Sequence, residues 1–332
     1  MPKARPSTAP AQAAALVQRG AVAEAYRLLE QASAAGDGPA AATLAEWRLT
    51  GAYIRRDLGA ARELYGKAAE LGVEQAAAPH LALLANGAGG SGRRWSEALE
   101  RLAARRDPLA RRQHALLAAM TLDAEGDPTA VPAPVMLNSE PLIERRPEFL
   151  TAQECRYLID CALPLMQPAV VFHPQTGQQM RDPVRIAQVA GFPFVMEDPA
   201  IHAINRRIAA ATGTRYEQGE PLQVLCYDPG GEYKPHSDAL PPSAGPNQRV
   251  ATFLVALNAD YEGGETQFPR LGLAWRGAVG EALHFRNVDA AGRAAAEMWH
   301  AGAPVRRKRK FLLSKWLRAA PLDLSGPPGR PF

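Results

Sequence analysis

The 332-residue sequence predicts an α+β chain: an all-α array of helical repeats, followed by antiparallel strands that close into a sandwich or barrel. Three observations carry this. The Ala- and Leu-rich first third repeats itself every 36 to 37 residues, the signature of stacked helical hairpins. A stretch rich in proline and small or acidic residues, "DAEGDPTAVPAPVMLNSEP" (123–141), then reads as a linker. Beyond it come short β-type runs divided by Gly and Pro turns, as in closed all-β architectures.

Taken in order, residues 1–11 form a flexible tail and 12–120 the repeats. The segments "AYRLLEQASAAGDGPAA" (25–41), "ARELYGKAAELGVEQAA" (61–77) and "ALERLAARRDPLARR" (98–112) set the period. Gly36 and Gly72 stand where a left-handed helix end needs glycine. In detail "DLGAARELYGKAAELGVEQAAAPHLALL" resembles the Sel-one-like repeats, a tetratricopeptide variant. The linker is placed at 121–138 and the second domain at 139–320, with a tail at 321–332. That domain opens with a helix, "PEFLTAQECRYLIDCALPLM", whose Thr151 and Glu154 have capping-box spacing. Strands follow at 222–227, 249–258, 264–269, 281–285 and 310–317.

Composition narrows the function classes. With 47% hydrophobic and 22% charged residues the chain has the balance of a soluble globular protein, and no run approaches the roughly 18 apolar residues of a membrane span. The N-terminus lacks the apolar core of an export signal, so the expected location is the cytoplasm. Cys155, Cys161 and Cys226, odd in number and without a Cys-x-x-Cys pair, read as reduced and mostly buried thiols. A net charge of +4 permits an acidic partner without demanding one; the run "RRKRK" (306–310) is too short to establish a nucleic-acid surface.

The chemistry-bearing stretch is "YKPHSDAL" (233–240). An extended backbone sends residues i and i+2 to one face, so His236 and Asp238 could share an ion. Such a pair is two thirds of the facial triad that holds non-haem iron(II), which needs a second histidine. Of the seven histidines, His80, His114, His173 and His202 fall in helices or loops upstream. His284, inside "EALHF", faces the other side of its strand or fills a core slot. His300 stands before a turn and a new strand, sixty-four residues after His236, far enough for strands to return.

The blocks "YDPGGEYKPHSD", "NADYEGGETQFP", "EALHFRNVDAAG" and "HAGAPVRRKRKFLLSKW" are similar, in order and spacing, to the catalytic domain of prolyl 4-hydroxylases, members of the iron(II)- and 2-oxoglutarate-dependent dioxygenases. "FLTAQECRYLID" and "PVRIAQVAGF" extend the resemblance to about residues 140–318. It implies a double-stranded β-helix (jelly-roll) domain, with His236, Asp238 and His300 as iron ligands. It implies Lys310 as the cation for the distal carboxylate of 2-oxoglutarate, Tyr227 as a hydrogen-bond donor to that cosubstrate, and Thr266 as a further contact. Arg185 and Tyr233 match positions lining the substrate side. Where the family has a glycine just before the lysine, this chain has basic residues.

The activity so implied is hydroxylation of a C–H bond, with O2 and 2-oxoglutarate consumed, succinate and CO2 released, and ascorbate as an accessory. An intact carboxylate at Asp238 favours hydroxylation over the halogenation seen in family members with a small residue there. A peptide or protein substrate is expected from the adjoining repeats, which commonly bind proteins; a free amino acid or small molecule is the rival substrate. In a rival of another class the repeats are a binding scaffold and the barrel a metal-free relic.

Overall fold

The computed structural model describes residues 7–172, 179–181 and 184–324. His173 and most of both expected tails lie outside these residues. The chain divides into two compact units that do not follow its linear order: one runs up to Asp127 and takes in Pro193–Ala203 and the chain from Asp323, the other is Pro128–Phe192 with Ile204–Leu322.

In the first unit, helix Ala9–Gln18 precedes three helix pairs: Val22–Ala34 with Gly38–Thr50, Leu58–Glu70 with Glu74–Asn86, and Trp95–Ala104 with Pro108–Ala119. Their starts at 22, 58 and 95 reproduce the period read from the sequence. Gly36 and Gly72 adopt φ of 90° and 88°. The residue after each glycine closes the same wide turn, Asp37 N to Ala32 O and Val73 N to Ala68 O, both 3.0 Å. Small residues let the helices approach: Ala41, Ala45, Ala61, Ala68 and Ala76 share a core with Leu83 and Tyr65. Val195, from the Pro193–Ala203 excursion, completes that core, and Asn86 Nδ2 donates to Phe194 O at 2.7 Å.

Among the described residues the second unit is a jelly roll built on two main antiparallel sheets, with two further two-stranded pairings, Glu262–Gly263 with Val305–Arg307 and Val170–Phe172 with Gln179–Arg181. The larger orders its strands as Val135–Asn138, Ile143–Arg146, Ala282–Arg286, Arg249–Ala256, Lys310–Arg318, Leu222–Tyr227, Gln188–Phe192 and Gln167–Pro168. The smaller runs Leu273–Trp275, Thr266–Phe268, His300–Gly302, Tyr233–His236. Val135–Asn138 falls inside the stretch read as linker; its pairing with Ile143–Arg146 shows that the sheet starts before the helix. The core lies between the sheets, where Phe285 of the larger meets Phe268 of the smaller edge to face at 5.1 Å.

On the larger sheet's outer face, helix Ala152–Ala162 begins with the expected capping box: Glu154 N donates to Thr151 Oγ1 at 3.2 Å and Thr151 N to Glu154 Oε2 at 2.7 Å. Glu154 also accepts from Arg207 at 2.8 Å, a buried pair that ties this helix to Pro199–Thr212. The cysteines are free; burial pushes the Cys155 thiol up to about 12 and that of Cys226 to about 11, so both stay protonated and inert. Among the described residues no helix is long and apolar enough to cross a membrane.

Candidate metal centre

Strand Tyr233–His236 pairs antiparallel with His300–Gly302, and His300 sits directly opposite His236. The two rings are 4.3 Å apart between centroids. Each ring is held from behind by a main-chain carbonyl: His236 Nδ1 is 2.8 Å from Lys234 O and His300 Nδ1 is 2.9 Å from Met298 O. A carbonyl only accepts, so in the neutral ring the proton rests on Nδ1 and Nε2 keeps its lone pair for the pocket.

Asp238 follows two residues after the strand, which ends at His236, so the bend beyond the strand, not a continued pleat, turns its carboxylate inward. Oδ1 lies 3.5 Å from His236 Nε2 and Oδ2 3.6 Å from His300 Nε2. The three donor groups fall within 4.8 Å of one another. Burial disfavours charge on Asp238, but the imidazoles of His300 and His236 and a hydrogen bond from Thr252 outweigh it and hold the carboxyl well below its usual range. Burial also pushes His300 below its ordinary value, toward the neutral form a metal needs. Two neutral imidazoles and one ionised carboxylate fit iron(II) with one face left open.

Lys310 opens the strand Lys310–Arg318 opposite Tyr227 and is 4% exposed. Its Nζ donates to Gly264 O at 2.7 Å and lies 5.3 Å from the Tyr227 ring centroid. Gly264 has φ of 72°, and a side chain there would press on Val305 Cγ2 at 3.0 Å and Lys310 Cδ at 3.2 Å. The glycine thus makes room for the lysine stem. Burial lowers the Lys310 amine to about 8, with Glu265 pulling the other way. A buried cation held by one neutral carbonyl is short of a counter-charge, which a carboxylate can supply.

One pocket is lined by Arg185, Tyr227, Tyr233, His236, Asp238, Thr266, His300 and Lys310, every candidate residue singled out from the sequence. Tyr233 stacks on His236 with centroids 3.5 Å apart, and the Arg185 guanidinium lies 5.4 Å from the Tyr233 ring. His284 is elsewhere: Leu283 and Phe285 face the inter-sheet core, while His284 turns outward to Glu144 Oε1 at 3.1 Å. The basic run is largely met by acids, with Arg307 on Glu262 at 2.9 Å, Lys308 on Asp260 at 3.1 Å and Arg309 on Asp228 at 2.8 Å. Within this run Lys308 adopts a left-handed backbone, with φ of 59°.

Sequence reasoning passed over Thr252, Leu254, Ser314 and Trp316. The last three line the pocket and Thr252 touches Asp238. The available signal was a hydroxyl on the inward face of an apolar strand, Thr252 alternating with Leu254 and Ala256.

The family model of the 2OG-Fe(II) oxygenase superfamily matches residues 222–318. Prolyl 4-hydroxylase 1 of Arabidopsis thaliana is 32% identical over 202 residues, 56% of this chain and 71% of that protein. The rat prolyl 4-hydroxylase subunit alpha-1 is 32% identical over 205 residues, 59% of this chain but 38% of the subunit. Among solved structures, a viral collagen prolyl hydroxylase from Paramecium bursaria Chlorella virus-1, in complex with 2-oxoglutarate, covers 54% of this chain and 96% of its own at 28% identity, with a TM-score of 0.44.

Proposed function

Because the chain belongs to the prolyl 4-hydroxylase family of 2OG-Fe(II) oxygenases, we propose that His236, Asp238 and His300 hold iron(II), that Lys310 receives the distal carboxylate of 2-oxoglutarate, and that the substrate is a prolyl or other residue of a peptide or protein. The observation that carries the reading is the convergence of three metal-type donors and a buried, under-compensated lysine in one pocket. Iron(II) supplies the O2 chemistry: one oxygen atom enters succinate as 2-oxoglutarate loses CO2, the other enters the C–H bond of the substrate.

The chain's own part is binding and alignment. The carbonyls of Lys234 and Met298 fix the two imidazoles in the ligating tautomer. Lys310 orients the dianion and Tyr227 and Thr266 flank it, all three at most 4% exposed, in a wall that excludes water. Arg185, stacked on Tyr233, stiffens the side facing the substrate. Near Trp316 the rim is held by Arg249, 3.8 Å above the indole, while Glu220 bridges Arg249 at 2.7 Å and Arg318 at 2.5 Å. A braced rim suits an extended peptide, whose ordering cost falls on the peptide alone. The helical repeats are assigned recruitment of that partner by analogy with repeat arrays that bind proteins, and ascorbate the role of accessory reductant on family resemblance.

The test is succinate release from 2-oxoglutarate under air with iron(II), together with mass spectrometry of a host lysate for products heavier by about 16 Da, the mass of one oxygen. Stimulated succinate release with oxidised peptides supports the reading. Oxidised free amino acids without oxidised peptides would move the substrate to the small-molecule class.

A further inference from the structure

Resting on the iron reading above, we infer that Thr252 and Asn287 are positioning residues which hold Asp238 so that a single carboxylate oxygen, Oδ1, is offered to the metal. Thr252 Oγ1 lies 2.6 Å from Asp238 Oδ2. A threonine hydroxyl has one proton, and the charged oxygen at the shorter distance takes it. The lone pair of Thr252 then accepts from Asn287 Nδ2 at 3.0 Å. Both residues are 1% exposed, away from bulk solvent. Asn287 is itself fixed, its N–H donating to Val250 O at 2.9 Å and its carbonyl accepting from Ala295 N at 3.0 Å. The relay therefore runs from a braced main chain through Asn287 and Thr252 to Oδ2.

The consequence is a restriction on the carboxylate. With Oδ2 held by Thr252, rotation that would bring both oxygens onto one ion breaks a charge-assisted hydrogen bond in a dry site. One-oxygen ligation keeps a position open that two-oxygen ligation would take, and the bidentate cosubstrate and O2 need three. Thr252→Val keeps the shape and removes the donor.

The test uses the full-length protein and Co(II) alone as probe, read by its visible absorption and by calorimetry, beside the thermal melt of the metal-free protein. Thr252→Val should weaken Co(II) binding roughly tenfold to a hundredfold and alter the visible spectrum, and Thr252→Ser should restore both. Asn287→Ala should weaken binding by a smaller factor, roughly threefold, and add nothing in the Thr252→Val background, because it acts through that hydroxyl. Asn287→Ala, beside Thr252→Ala, keeps the test decisive if Thr252→Val does not fold. A lowered melt with unchanged Co(II) affinity and spectrum would overturn the inference, as would full additivity of the two substitutions. Failure of the wild type to bind Co(II) would instead overturn the metal reading itself.

Discussion

Lys310 is where the structure makes a quantitative demand. Burial lowers its amine from 10.5 to about 8, which corresponds to roughly 3 kcal/mol of preference for the neutral form before an anion arrives. A 2-oxoglutarate carboxylate reverses that preference, because an ion pair in the same dry surroundings favours the charged amine. Above pH 8 the free protein has lost the proton that the complex requires, so binding takes one up and affinity falls. Below pH 8 the amine is already charged and affinity is flat. The folding sign follows separately. A lysine depressed in the folded state is least favourable to stability below pH 8, and the anion-free protein gains stability as pH rises from about 8 toward 10.5. The assay is anaerobic calorimetry of 2-oxoglutarate into iron-loaded protein from pH 6.5 to 9.5. The dissociation constant should rise by up to about tenfold per pH unit above 8. Lys310→Ala should raise it about tenfold to a hundredfold at pH 7, the loss of a charge-assisted contact of roughly 1.5–3 kcal/mol, and abolish the pH dependence. A flat wild-type profile, or a Lys310→Ala protein with unchanged affinity, would refute the assignment.

Three further outcomes are expected. Alanine at His236, Asp238 or His300 should each abolish substrate-stimulated succinate formation, whereas His284→Ala, on the outer face of the sheet, should keep iron binding and lose only stability; an inactive, iron-free His284→Ala beside an active His300→Ala would reverse the choice of third ligand. Lys308→Gly should stabilise by about 0.5–1 kcal/mol in a thermal melt, since φ of 59° strains a side-chain residue by about 1–2 kcal/mol while the exposed pair with Asp260 contributes little. Removing residues 1–127, which leaves the strand Val135–Asn138 in place, strips the cover from Phe194 and Val195, so the truncated protein should aggregate unless both are made polar, and with those changes retain uncoupled conversion of 2-oxoglutarate to succinate; a soluble, folded but iron-free product would show that the repeats complete the site.

Much of this molecule is local and therefore legible. The helix pairs follow from a period set by alanine contacts and glycine ends, and the Thr151–Glu154 cap from two residues three apart. Strands such as Leu222–Tyr227 and Lys310–Arg318 declare themselves by composition and turns. The candidate site residues were picked out as a pattern of blocks, and one pocket gathers all eight.

What only the tertiary structure decided is pairing across distance. Whether His284 or His300 joins His236 depends on register between strands sixty-four residues apart. The same holds for the relay through Thr252 and Asn287, which forms no motif and exists because Arg249–Ala256 and Ala282–Arg286 are neighbours in the sheet. The linear division at 121–138 likewise missed Pro193–Ala203, whose Phe194 and Val195 read as ordinary apolar residues until the core they fill is known. Propensity and periodicity act over a few residues; strand register and core membership are chosen by the burial of surfaces far apart in the chain, which no local stretch encodes.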